Sequence, residues 1–176
     1  SERNSKIIIK NINSFDKYEL NNKFASYLKR NLHLVIACLE ELKIELKLEL
    51  FDDVELFGRC QKISENVTID VGHNPLAARV LAEEFSGRKI TLIYNSYKDK
   101  DYEEVLKILK PIINKIIIIE IDDKRIVSKN NLLKIIEKLN IIEEDIVKIN
   151  DNEEYLVFGS FLVVEKFLYL NGINEK

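Results

Sequence analysis

From Phe57 onward the sequence alternates short apolar runs rich in β-branched residues with segments of helical period, and this rhythm constrains the fold more than any other feature. It predicts strand Val67–Val71 before helix Pro75–Phe85, strand Lys89–Tyr94 before helix Asp101–Leu109, and strand Lys115–Ile121 before helix Ser128–Leu139. A short strand near Ile146–Ile149 follows, then strand Tyr155–Phe158 and helix Phe161–Leu170. Strands that are apolar on both faces and separated by helices imply a mostly parallel sheet covered on both sides. The expected class is therefore α/β, a Rossmann-like three-layer domain.

The residues before that rhythm are of a different kind. Lys6–Lys10 reads as a short strand. From Asp16 to about Leu42 the positions Leu20, Phe24, Leu28, Val35, Leu39 and Leu42 recur near helical spacing, with Ser14 or Asp16 available as caps. Ile44–Phe51 alternates apolar and polar residues, which predicts a half-buried strand or an extended linker. We expect residues 1–55 to be the tail of another domain plus a linker, and residues 56–176 to be the α/β domain. Met is absent, and the opening Ser-Glu-Arg-Asn-Ser resembles neither a native start nor a targeting segment, so the chain is expected to be a piece of a longer one.

In open α/β sheets ligands bind beyond the carboxyl ends of the strands. That singles out Asp70–Asn74, Asn95–Asp101, Glu120–Arg125 and Gly159–Ser160. In the first turn, cap chemistry accounts for Asn74 and Pro75, and a positive φ would account for Gly72. Neither reason accounts for Asp70 at a strand end or His73 at a helix start, where backbone amides also favour an anion. In the second turn Asp99 or Asp101 is expected to cap the following helix. The third, Asp122 to Arg125, reads as a charged loop in which Arg125 is the candidate.

Composition narrows the function. The 176 residues carry a net charge of -3 and a pI near 5.6, so no broad basic field exists to hold nucleic acid. Cys38 and Cys60 have no metal-ligand spacing, and no apolar run approaches membrane-spanning length. The default reading is a cytoplasmic protein that binds neither nucleic acid nor membrane.

The turn DVGHNP, Asp70 to Pro75, resembles the DGAHNP signature of the folylpolyglutamate synthase and dihydrofolate synthase family of the Mur ligase superfamily. Other pieces fall in the family's order. Phe57 to Arg59 resembles its PGR motif, KDKD (Lys98 to Asp101) its DKD, and FGSF (Phe158 to Phe161) the GS motif that opens its last helix. Asn31, in NLHLVIACLEEL, resembles the Asn that opens its alanine-rich helix. Val71-Gly72 stands where the family has Gly-Ala, and Phe57 where it has Pro.

The resemblance implies the C-terminal domain of an ATP-dependent, ADP-forming ligase. Such enzymes phosphorylate a carboxylate of folate or dihydropteroate, and the amino group of L-glutamate attacks the acyl phosphate. It implies that Arg59, Asp70 and Asn31 meet the nucleotide, and that His73 and Ser160 hold the glutamate, with His73 and Asp70 the catalytic pair. ATP and Mg2+ are the implied cofactors. This sequence contains no GxxxxGK[ST], so the phosphate and metal sites are expected in a separate ATPase domain, and this chain alone is expected to be an inactive monomer. Two alternatives stand beside it: another Mur-type amide ligase, and a stand-alone α/β binding or regulatory module with Asp70 as a phosphoacceptor.

Overall fold

The computed structural model describes residues 9, 24–51, 54–145 and 149–173. They fall into two compact units that divide between Val54 and Glu55, and each is treated by itself below.

In the first unit α1 (Ser26–Glu41) buries Ile36 and Ala37, with Leu32 and Leu46 packed against them. The expected stripe is displaced: Val35 and Leu42 are exposed. Ile44–Phe51 forms no strand. The chain turns at Lys43 with a φ of 54°, and Leu48–Phe51 curls into a short 3-10 turn. An alternating pattern makes a strand only where a neighbouring ladder accepts it; here Leu46 packs on α1 instead. Of the expected strand Lys6–Lys10 only Ile9 is among the described residues, and the caps Ser14 and Asp16 lie outside them.

The second unit holds β1 (Gln61–Lys62), β2 (Val67–Asp70), α2 (Pro75–Glu84), β3 (Ile90–Tyr94), α3 (Tyr102–Leu109), β4 (Ile113–Ile118), α4 (Lys129–Lys138), β5 (Ile142–Glu143), β6 (Tyr155–Phe158) and α5 (Phe161–Leu170). The sheet order is β1-β2-β6-β3-β4-β5, parallel throughout except where β1 pairs antiparallel with β2. Two short edge strands were not foreseen at these places: β1, and β5 at Ile142–Glu143 rather than at Ile146–Ile149, of which residues 146–148 lie outside the described set.

Two apolar layers cover the sheet, and the strands sort their side chains between them with period two. Leu92, Tyr94, Ile116, Ile118, Leu156 and Phe158 face a layer built with α2, α3 and α4. Ile93, Ile117, Tyr155 and Val157 face a layer built with α5 through Val163, Val164, Phe167 and Leu168. Full burial of such side chains contributes about 1.5–3 kcal/mol each. On α2 the packed residues are Ala78 and Leu81, whereas Leu76 is 68% exposed.

Because β2, β6, β3 and β4 run parallel, their carboxyl ends share one edge. The turn after β2, the loop after β3, the loop after β4 and Gly159–Ser160 all meet there. Asn95 ties β3 to β4, its amide donating to the Ile119 carbonyl at 2.8 Å.

Candidate functional site

The turn after β2 is built on Asp70. Its carboxylate is 4% exposed and accepts two backbone hydrogen bonds, from Gly72 at 2.6 Å and from Cys60 at 2.9 Å. The Val71 amide donates to the Gly58 carbonyl at 2.8 Å. The Cys60 and Val71 bonds fasten the segment that carries Arg59 to the end of β2, and the Gly72 bond closes the turn itself. Gly72 is required for space rather than for a positive φ: an added Cβ would lie 2.7 Å from Ala77 Cβ and 2.8 Å from Asp70 Oδ1. Asn74 then caps α2, its Oδ1 accepting from the Ala77 amide at 2.9 Å, with Pro75 at the first helical position.

That construction leaves His73 half-buried at the mouth of the turn. Its Nδ1 lies 3.3 Å from the Val71 carbonyl, which suits an Nδ1–H donor and leaves Nε2 for a ligand. The ring meets Tyr97 edge to face, with centroids 6.5 Å apart. On the far side of Tyr97 the Arg125 guanidinium stands 5.4 Å from the ring centroid. His73, Tyr97, Lys98, Asp99, Lys100 and Arg125 line a hollow of about 480 Å³.

Two loops are stitched together to form that hollow. Tyr97 and Ile126 make a β-bridge, the Lys98 amide donates to the Arg125 carbonyl at 2.8 Å, and Lys98 Nζ donates to the Lys124 carbonyl at 2.6 Å. Asp123 clamps Arg125, accepting from its Nε at 3.1 Å, its Nη2 at 2.7 Å and its backbone amide at 2.8 Å. These bonds hold the Asp123 carboxyl down at about 2. The neighbouring Lys100 ammonium likewise lowers Asp99. The lining thus offers three permanent cations and one imidazole against a single carboxylate.

Ser160 is buried at the start of α5, where its Oγ accepts from the Val163 amide at 3.3 Å. Gly159 before it has a φ of 135°, and a Cβ there would fall 1.9 Å from the Asn95 carbonyl oxygen. The GS pair therefore has a packing reason as well as a capping one. Asp101 caps α3, accepting from the Glu104 amide at 3.1 Å.

Of the expected site residues, Asp70, His73, Arg59 and Ser160 lie in one unit around the carboxyl edge, with Arg59 exposed. Asn31 is exposed on α1, in the other unit. Arg125 joins His73 in the hollow. Tyr97 and the Asp123 clamp were not foreseen. The available signal was an aromatic three residues after β3 and an acid two residues before a base after β4, both at the ligand edge. A second hollow, of about 500 Å³, lies at the opposite end of the sheet by Lys115, Glu153 and Tyr155. Lys115 there is paired with both Glu144 and Glu153, so its charge is already met.

Among the described residues no group of three His, Cys, Asp or Glu could hold a metal ion. No helix among them is long and apolar enough to cross a membrane.

No family model matches the chain. It is 27% identical over 168 residues to the dihydrofolate synthase/folylpolyglutamate synthase of Buchnera aphidicola subsp. Baizongia pistaciae, a match that covers 80% of this chain and 39% of that protein. Among solved structures, Helicobacter pylori folylpolyglutamate synthetase is 36% identical, with a TM-score of 0.73 over 97% of this chain and 46% of that one. A bifunctional folylpolyglutamate synthase/dihydrofolate synthase solved with Mn, AMPPNP and L-glutamate is 20% identical with a TM-score of 0.72, which shows a shared fold. The chain thus spans less than half the length of these proteins. Ordered motifs, a shared sheet and named relatives converge: the chain is similar to folylpolyglutamate synthases and dihydrofolate synthases, and its α/β unit has the fold of their C-terminal domain.

Proposed function

We propose that this chain supplies one wall of the active site of an ATP-dependent, ADP-forming ligase that joins L-glutamate to folate or dihydropteroate. The observation that carries the reading is His73. It is presented by a turn whose every other residue is occupied in holding that turn, and it faces a cationic hollow at the carboxyl edge of a parallel sheet.

In this reading His73 and Ser160 hold the incoming glutamate, whose amino group attacks the acyl phosphate to give the amide and release phosphate. The Nε2 of His73 is placed to hydrogen-bond or, when protonated, to pair with a carboxylate. Ser160 Oγ spends an acceptor on the Val163 amide and retains its O–H for a ligand. Arg59 offsets phosphate charge during transfer, as a cation can in other phosphoryl-transfer sites. Asp70, with an oxygen on each of two backbone amides, orients the turn and the Arg59 segment, and it is the candidate for the ribose of the nucleotide. Asn31 is the candidate for the adenine edge.

ATP and Mg2+ supply the phosphoryl group and its charge neutralisation. The described residues offer neither a metal-ligand group nor a phosphate loop, so the enzyme's own ATP-binding domain would hold both. That domain is the partner this edge expects, in a monomeric and cytoplasmic enzyme.

The test is an ADP-release assay on the complete gene product with a folate or dihydropteroate acceptor, ATP and L-glutamate. Glutamate-dependent turnover is expected, and His73→Ala is expected to lower kcat or raise the glutamate KM by at least ~10-fold while leaving the unfolding midpoint unchanged. No turnover with either acceptor, or unchanged kinetics in the variant, would overturn the reading.

A further inference from the structure

The ladder between β3 and β4 is closed at its carboxyl end by a side chain. The Ile119 amide donates to the Tyr94 carbonyl at 3.1 Å. In a regular parallel ladder the Ile119 carbonyl would next accept from the Ser96 amide. Here the Asn95 side chain stands between those two groups. Its Oδ1 accepts from the Ser96 amide at 2.7 Å, and its Nδ2 donates to the Ile119 carbonyl at 2.8 Å. All three residues are buried, so neither backbone group has water to turn to if the carboxamide is removed. The place needs a short side chain that both accepts and donates; aspartate would offer no donor, and alanine neither group.

This relay parts the two chains. Released from β4, residues 96–98 pair instead with the loop that follows it. The Val127 amide donates to the Ser96 carbonyl at 2.9 Å, Tyr97 bridges Ile126, and the Lys98 amide donates to the Arg125 carbonyl. That pairing sets Tyr97 edge to face with His73. On its other side Asn95 abuts the end of β6, because its carbonyl oxygen occupies the space a Cβ on Gly159 would take, and Ser160 follows directly. One buried residue thus stands behind both the loop that meets His73 and the segment that presents Ser160.

We infer that Asn95 is a positioning residue for the ligase reaction: it holds His73, through Tyr97, and Ser160, through Gly159, at the spacing in which they share one glutamate. The inference rests on the ligase reading of this edge and adds to it a residue that touches no substrate. Its effect is confined to the glutamate side of the reaction, since the relay makes no bond to the Arg59 segment.

The experiment compares the complete gene product with its Asn95→Ala and Asn95→Asp variants. The first removes both arms of the relay and the second only the arm to Ile119. Steady-state kinetics should show the glutamate KM raised in both, by about 10-fold in Asn95→Ala, with the ATP KM at the parent's value. Hydrogen-exchange mass spectrometry of the same proteins should show faster exchange in residues 96–100 and 123–127, with β2, β3 and β6 as protected as in the parent. An unaltered glutamate KM, glutamate and ATP KM raised together, or protection lost from the strands as well overturns the inference. Failure of the ligase reading looks different, because the parent itself then shows no glutamate-dependent turnover. In that case loop-confined exchange keeps Asn95 as the residue that holds the loop, and its absence removes that role too.

Discussion

Asp70 holds Cys60 by a hydrogen bond that spans ten residues of sequence: the Cys60 amide donates to Asp70 Oδ2 at 2.9 Å. The other oxygen takes the Gly72 amide, so one buried carboxylate fixes both the Arg59 segment and the His73 turn. An asparagine could accept only one of these bonds and would turn an N–H toward the other donor. Asp70→Asn is therefore expected to lose about 1–3 kcal/mol. Urea denaturation checks this, with a lowered midpoint at unchanged m-value; a midpoint equal to that of the parent chain would show that the clamp does not hold the turn.

Gly159 gives a sharper contrast with its neighbour. A Cβ at 159 would meet the Asn95 carbonyl oxygen at 1.9 Å, and the φ of 135° is one that L side chains rarely adopt. The obstacle is backbone, so no rotamer relieves it. We expect Gly159→Ala to cost more than about 2 kcal/mol, from strain and clash together. Ser160→Ala removes a cap and should cost about 1 kcal/mol. Thermal or urea unfolding of the two variants orders them, and equal losses would contradict the packing role given to Gly159.

The two cysteines should differ in reactivity. Cys38 is exposed on α1, whereas Cys60 packs against the α2 side of the core. Burial pushes the Cys60 thiol up to about 12, and the negative charge of Asp70 adds to the shift. The thiolate is the reactive species, so at pH 8 Cys60 should be nearly inert to a thiol-exchange reagent while Cys38 reacts. One equivalent should titrate quickly in the native chain and a second only in denaturant. Two fast equivalents would place Cys60 outside the core.

How much of this was legible depended on whether a signal was local. Helices α2, α3 and α5 were readable from cap and period, because Asn74, Asp101 and Ser160 act within three residues of themselves, and α4 from its period, since Ser128 makes no side-chain cap bond. The central strands were readable because β-branched runs buried on both faces leave few alternatives. The edge strands were not, since Gln61–Lys62 and Ile142–Glu143 are polar or short and exist only because a neighbour offers a ladder. On α2 the larger Leu76 is exposed and the smaller Ala78 buried for a related reason. Period alone gives a stripe, while the direction of the side chains decides which member of it touches the sheet. In the site, His73 was visible as a residue with no structural excuse. Tyr97 and Asp123 were not, because their importance lies in contacts with His73 and Arg125 across loops that meet only in the fold.

The Asp123–Arg125 clamp makes a prediction about pH. Its bonds to Arg125 hold the Asp123 carboxyl at about 2 in the folded chain, below the ~3.9 of a free aspartate. A depressed carboxyl contributes stability that is fully present above the unfolded value and is lost as pH falls through the folded one. The clamp should therefore be intact at and above pH ~5 and should open only between about pH 4 and 2. The 13C titration of Asp123 Cγ should show a midpoint near 2, moving toward ~4 in Arg125→Gln. A midpoint near 4 in the parent chain would mean that Asp123 does not hold Arg125, and the wall of the hollow opposite His73 would then lack the clamp that fixes its guanidinium.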